Sequence, residues 1–282
     1  MEVNFKHFLI THFNLLNFPL GITDSEQWIK WTRDRIQLFK TYCLPSLLNQ
    51  TNKKFTWLIY FDKQTPAEFT PFIEELRSYD FIKPCFADGF DGFGNQYMNE
   101  IKELCQNYQW VITSRIDNDD CFDKDAIDTI QRNFRTSDEY LISLTSGYTL
   151  DTNSKTLSHY YYPMSPFISM VENLGKPVLK GIWYTAHSKW DDLRFSVRKV
   201  LLKKNSKSIF IIDKPHWLQI LHGSNIANSA RGLPVLKKKD LSNFGINITS
   251  EKQTIRNIPD YYDYVIWKRY FKVLVVKLLR GK

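Results

Sequence analysis

Paired cysteines, long apolar runs and an early glycine-rich loop are all missing from this chain, and each absence excludes something. The four cysteines, Cys43, Cys85, Cys105 and Cys121, show no Cys-x-x-Cys spacing and no histidine cluster beside them. In a chain of 282 residues this argues against structural zinc and a disulfide framework, and for reduced, buried thiols compatible with cytosol. Nowhere do about 18 uncharged apolar residues run together, so no transmembrane helix is expected. The apolar stretch from Phe5 to Leu20 is broken by Lys6, His7, His12, Asn14 and Asn17 and has no small-residue cleavage site, so no secretory signal is expected.

What is present reads as a folded α/β protein. A hydrophobic content of 43% with 15% aromatics suits a packed core rather than a disordered chain. Most of the 8 Trp and 15 Tyr fill that core, although flat rings also stack on sugar faces. The net charge of +8 points to an anionic partner, whether phosphate, nucleic acid or a membrane surface. Lysine-rich stretches at 203–207 and 237–239 read most simply as solvated turns.

Strand-like apolar runs at 7–13, 55–61, 81–87, 110–116 and 139–144 alternate with helical patterns, which implies a mostly parallel sheet covered on both faces. Thr23-Asp24-Ser25-Glu26 is a capping-box signature for a helix with Trp28, Trp31, Ile36 and Phe39 among its apolar positions, interrupted at Pro45 with Ser46 to Gln50 as a last turn or short second helix. Thr65-Pro66 opens another. The glycines at 89, 92 and 94 predict a loop, with Asn95 capping a helix that buries Tyr97, Ile101, Leu104, Cys105 and Tyr108. A short helix follows with Ile127, Ile130 and Phe134 on one face. The second half is less regular, with β-like pieces at 160–162, 167–171, 209–212 and 217–221. The tail places Trp267, Tyr270, Phe271, Leu274 and Leu278 at helical spacing, which suits burial against the domain. Its Lys268, Arg269, Lys272, Lys277 and Arg280 equally suit a peripheral helix on an anionic leaflet.

The most informative segment is Ser114-Arg115-Ile116-Asp117-Asn118-Asp119-Asp120, an apolar strand running into carboxylates. Ligands of open α/β sheets bind beyond the carboxyl ends of strands. If the strand stays extended there, Asp117 and Asp119 point the same way. Paired carboxylates suit a hard divalent cation that bridges to substrate phosphates. The competing reading is that Asp120 or Asp123 caps the next helix.

Several segments together resemble the bacterial rhamnosyltransferase family, GT-A-fold enzymes related to glycosyltransferase family 2. They are Leu9-Ile10-Thr11-His12-Phe13-Asn14, Arg35-Ile36-Gln37-Leu38-Phe39, Cys43-Leu44-Pro45-Ser46-Leu47 with Gln50, the 55–62 strand with Thr65-Pro66, the acidic segment, and His222-Gly223-Ser224-Asn225. One departure is His12, where the family's usual Thr-Arg-Phe-Asn has Arg, which bears on a phosphate contact there and not on the fold.

The resemblance implies a GT-A-like fold over 1–240, with a nucleotide-binding half at 1–120 and an acceptor half at 121–240, and a basic, aromatic extension at 241–282. It implies Mn²⁺ or Mg²⁺ on a donor diphosphate, with Asp119, Asp120 and His222 as metal ligands and His216 in reserve. Donor binding would fall to Thr11, Asp62, Arg115 and Asp117. In related enzymes a base follows the metal motif by several tens of residues; Asp191 and Asp192 are alternatives for it, with Trp190 to stack on the acceptor. The expected activity is transfer of a sugar, such as rhamnose from a dTDP donor, to a glycan or lipid-linked acceptor, in the cytoplasm or on the inner membrane face. No nucleic-acid partner is expected. A nucleotidyltransferase on a similar sheet is the alternative enzyme, yet no Gly-x-Gly-x-x-Gly loop precedes Gly89. A non-enzymatic sugar- or nucleic-acid-binding module would leave the strand-end carboxylates unexplained.

Overall fold

The computed structural model describes residues 4–17, 24–137, 139–163, 165–185, 189, 207–223, 231–253 and 264–279. Its main sheet contains β1 (Phe5–His12), β2 (Thr56–Asp62), β3 (Ile82–Ala87), β4 (Trp110–Arg115), β6 (Tyr140–Leu144), β9 (Ile168–Asn173) and β10 (Ser208–Ile211), in the order β10-β6-β9-β4-β1-β2-β3. Only β9 runs against the others. A second sheet, ordered β12-β8-β7-β11-β5, is built from β5 (Cys121–Phe122), β7 (Ser146–Asp151), β8 (Thr156–Tyr161), β11 (Trp217–Leu221) and β12 (Leu233–Pro234).

Alternation along the central strands sorts side chains into two cores. Leu9, Trp57, Ile59 and Phe61 face one core, shared with α3 (Thr70–Arg77), α5 (Ala126–Arg132) and the long helix made of α1 (Ser25–Leu38) and α2 (Leu44–Leu48). Phe8, Ile10, Leu58 and Tyr60 face the other, shared with α4 (Gly89–Leu104) and α6 (Tyr264–Leu279). Helices therefore cover both faces, as the strand–helix alternation implies. All four cysteines are free and buried. No helix among the described residues is long and apolar enough to cross a membrane.

Four local expectations are corrected. Helix α1 is capped by Asp24, whose carboxylate accepts the Gln27 N–H at 2.8 Å, while Thr23 lies outside the described residues. Pro45 does not end that helix. A π-helical turn at Phe39–Cys43 precedes it, and the proline sits in the first turn of α2, where its missing N–H costs least. The 88–94 segment is not a loop, for α4 begins at Gly89. Phe93, Tyr97 and Ile101 form one buried stripe, and that burial outweighs the poor helix propensity of glycine. Finally, the face of α6 that packs on the protein carries Ile266, Val273 and Val276, whereas Trp267, Phe271, Leu274 and Leu278 are exposed.

Candidate active site

The site lies beyond the carboxyl ends of β1 and β4, where the strand order reverses direction. Strand β4 stops at Arg115, and the Asp120 N–H donates to the Asp117 carbonyl at 3.3 Å, closing a turn. The extended geometry expected for Asp117 and Asp119 is thus replaced by a bend that separates them. Asp117 stays half-exposed and pairs with Arg115 at 3.2 Å, while Asp119 is buried.

Strand pairing explains what meets Asp119. Strand β11 runs antiparallel to β5 with Trp217 opposite Phe122 and Leu218 opposite Cys121. Continued into the acidic turn, that register sets Gln219 and Ile220 opposite Asp120 and Asp119, with His222 two residues further along the chain. The Ile220 N–H donates to Asp120 Oδ1 at 3.0 Å, and His222 Nε2 lies 3.0 Å from Asp119 Oδ2. The same carboxylate receives the Arg35 guanidinium, which also reaches Asn118 Oδ1 at 3.4 Å. Burial opposes ionisation of Asp119, but the His222 hydrogen bond and the Arg35 charge hold it below the usual carboxylate range. Asp120 goes the other way, because burial and the neighbouring Asp119 and Asp117 push it well above that range. Its carboxyl accepts from the backbone of β11 through Oδ1.

The structure brings Arg115, Asp117, Asp119, Asp120 and His222 together at one strand end. Thr11 and Asp62 are nearby but committed elsewhere. The Thr11 hydroxyl donates to the Ile116 carbonyl at 2.9 Å and accepts from Trp57 Nε1 at 3.0 Å. Asp62 accepts the backbone N–H groups of Leu16 and Gln64 at 3.0 and 2.8 Å, fastening the segment after β1. His216 is buried apart from Asp119, with Nε2 2.9 Å from Asp213 and Nδ1 3.6 Å from Asp123. Trp190, Asp191 and Asp192 lie outside the described residues.

Two residues went unassigned in the sequence. Arg35 occupies the inner face of α1 with Trp28, Thr32 and Ile36, and its guanidinium lies 5.0 Å from the Trp31 ring centroid. An arginine within an apolar stripe was the available signal. Trp183 covers Arg115, whose guanidinium carbon is 3.6 Å from the ring centroid, and meets His12 edge-on at 4.7 Å. It is set there by Glu172, which accepts the N–H groups of Lys180 and Gly181 at 2.7 and 2.9 Å. Gly181 has φ +65°, and a Cβ there would lie 2.3 Å from the Tyr97 hydroxyl. Among the described residues, Arg115 Nε and Trp183 Nε1 are buried donors without an acceptor. Burial lowers the pKa of Arg115, with Asp117 opposing. Burial also drops His12 to about 4, so near neutral pH it cannot supply the charge of an arginine.

Among the described residues, no three His, Cys, Asp or Glu side chains form a closed metal-ligand group. The Asp119–His222 pair is instead an open, two-donor set. That suits Mg²⁺ or Mn²⁺, which keep waters and take the rest of their ligands from substrate phosphate, and does not suit structural zinc.

The protein is thus an open, mostly parallel α/β sheet with acids and arginines gathered at its switch point, the place where sheets of this class form their ligand crevice. The chain belongs to the family described as "Putative rhamnosyl transferase", whose profile matches residues 27–233. Among solved structures it is similar to S. aureus TarS 1-349, at 14% identity and TM-score 0.39 over 76% of this chain and 60% of that one. The S. aureus TarS 1-349 complex with UDP gives 16% identity and TM-score 0.35 over 77% and 60%. The inositol-1-phosphate CTP transferase from T. maritima gives 11% identity and TM-score 0.34 over 76% and 89%. No curated protein matches the chain.

Proposed function

We propose that this protein is a metal-dependent glycosyltransferase that moves a sugar, rhamnose by its family, from a nucleoside-diphosphate donor to a hydroxyl of a glycan or lipid-linked saccharide. The carrying observation is the convergence of Arg35 and His222 on buried Asp119 at the end of β4 in a chain of this family. Asp119 and His222 would hold the cation, with Asp117 at the rim. When bound, Mg²⁺ or Mn²⁺ supplies Lewis-acid stabilisation of the negative charge that grows on the departing diphosphate.

The chain's own residues act beside it. Arg35 fixes the Asp119 carboxylate and keeps it ionised. Arg115 offers its partnerless Nε as an anion donor from a dry site, where charge-assisted hydrogen bonds are strongest. Trp183 keeps water from the Arg115 face. Asp120 ties β11, and with it His222, to the acidic turn.

The test is a panel of nucleotide sugars measured for thermal stabilisation with and without Mn²⁺, followed by release of nucleoside diphosphate in the presence of saccharide acceptors. Stabilisation by one nucleotide class that requires the cation is expected. If no nucleotide binds and the metal has no effect, the proposal fails.

A further inference from the structure

Helix α6 has two apolar faces, and among the described residues the rest of the protein covers one of them. Ile266, Val273 and Val276 are buried in the cores on either side of the main sheet, and Tyr270 donates its hydroxyl proton to the His159 carbonyl of β8. Arg269 donates to the Tyr160 hydroxyl at 2.6 Å and Lys277 to the Tyr161 hydroxyl at 3.3 Å, so these two cations serve the docked face. Across the helix, Trp267, Phe271, Leu274 and Leu278 recur at i, i+4, i+7 and i+11, forming a single line. They are 43%, 66%, 53% and 69% exposed, and Tyr264 beside them is 71% exposed.

A helix that is apolar all round is ordinarily buried, so this second face calls for an occupant. Its charge chooses one. Exposed Lys268 and half-buried Lys272 border the apolar line, α6 carries no acidic residue, and the chain has a net charge of +8. We propose that this face docks on an anionic lipid surface. The helix lies in the plane of the interface, with Phe271, Leu274 and Leu278 at the acyl boundary and Lys268 and Lys272 among the headgroups. Its 16 described residues fit that placement, and no helix among the described residues is long and apolar enough to cross a bilayer. A second copy of the chain fits less well. A two-fold contact through this line would set the same lysines against each other with no acid on α6 to pair them.

The test is sedimentation of the full chain with phosphatidylcholine vesicles that contain or lack phosphatidylglycerol, at low and high salt. It needs no nucleotide sugar, so its outcome is independent of the transferase proposal. Binding to the anionic vesicles, weakened by salt, is expected. Phe271→Ser with Leu274→Ser should reduce it roughly ten-fold or more, because the apolar area that enters the interface is lost. Lys268→Gln, a fully surface change, should reduce it about five-fold and serves if the double variant folds poorly. Absence of binding to anionic vesicles overturns the proposal, as does equal binding to vesicles without phosphatidylglycerol. A concentration-dependent dimer that the double variant disrupts, with vesicle binding unchanged, overturns it in favour of self-association.

Discussion

At the scale of single residues, Asp119 carries the site because two cationic or proton-donating partners reach one oxygen. Removing the carboxylate strands the Arg35 guanidinium in a buried position, and breaking one side of a buried pair costs about 3–5 kcal/mol. Asp119→Ala is therefore expected to lower the denaturant midpoint as well as abolish transfer. Asp119→Asn keeps the shape and should cost less stability while still reducing turnover about 100-fold or more, as expected when several kcal/mol of charge stabilisation is removed. Near-normal turnover in that variant would dismiss Asp119 from the mechanism. Thr11 offers the opposite case. Thr11→Val leaves the Trp57 indole N–H and the Ile116 carbonyl short of a partner, a loss of about 1–3 kcal/mol, with nucleotide affinity unchanged. Weaker nucleotide binding at unaltered stability would instead make Thr11 a ligand contact. The acids were legible in the sequence because an apolar strand that runs into carboxylates leaves a local mark, whereas His222 came from the family resemblance. Trp183 was not, since its position depends on Glu172 and Gly181 fastening a loop across the sheet.

At the scale of elements, the apolar runs of β1, β2, β3, β4, β6, β9 and β11 could be read directly, while the start of α4 and the π turn before α2 could not. Both exceptions are places where packing outweighs local preference: buried Phe93 carries the helix back through glycines, and buried Phe39 and Cys43 carry it toward Pro45. The placement of β11 rests on a similarly non-local device. Trp217 stacks on Phe167 with ring centroids 4.6 Å apart and donates its N–H to the Leu144 carbonyl at 2.6 Å. It fits only because β7 has Gly147 beneath it, where an added Cβ would come within 1.9 Å of the ring. Gly147→Ala should destabilise the fold by about 1–3 kcal/mol or more and shift β11, so transfer falls although His222 is intact. Pairing it with Trp217→Leu should restore part of the lost melting temperature. A single Gly147→Ala variant with wild-type stability would show that β11 is not wedged in this way.

At the scale of the whole molecule, strand–helix alternation was enough to give a covered, mostly parallel sheet, but not the second sheet. That sheet inserts β11 between β7 and β5, joining segments with no local sequence relation. The packing of the two sheets buries histidines of two kinds, and these set the pH range of stability. Burial lowers His7, His12 and His159 to about 3, 4 and 4, against about 6.5 in an unfolded chain. As pH falls below about 6.5 the unfolded chain takes up protons that the folded chain refuses, so stability declines toward acid. His216 has the opposite sign. Burial disfavours its charge, but contacts with Asp123 and Asp213 outweigh that and raise its pKa. Its contribution is complete below about pH 6.5 and disappears as pH rises through the folded value. Asp213 is held near 2 because its contact with His216 outweighs burial, so its contribution is lost only in strong acid. Melting temperatures from about pH 4 to about pH 9 should therefore fall on both sides of neutrality. His216→Asn should flatten the alkaline limb and leave the acid limb, whereas His159→Asn should relieve part of the acid limb alone. An alkaline limb unchanged by His216→Asn would mean that the imidazole bridging Asp123 and Asp213 is neutral in the folded protein.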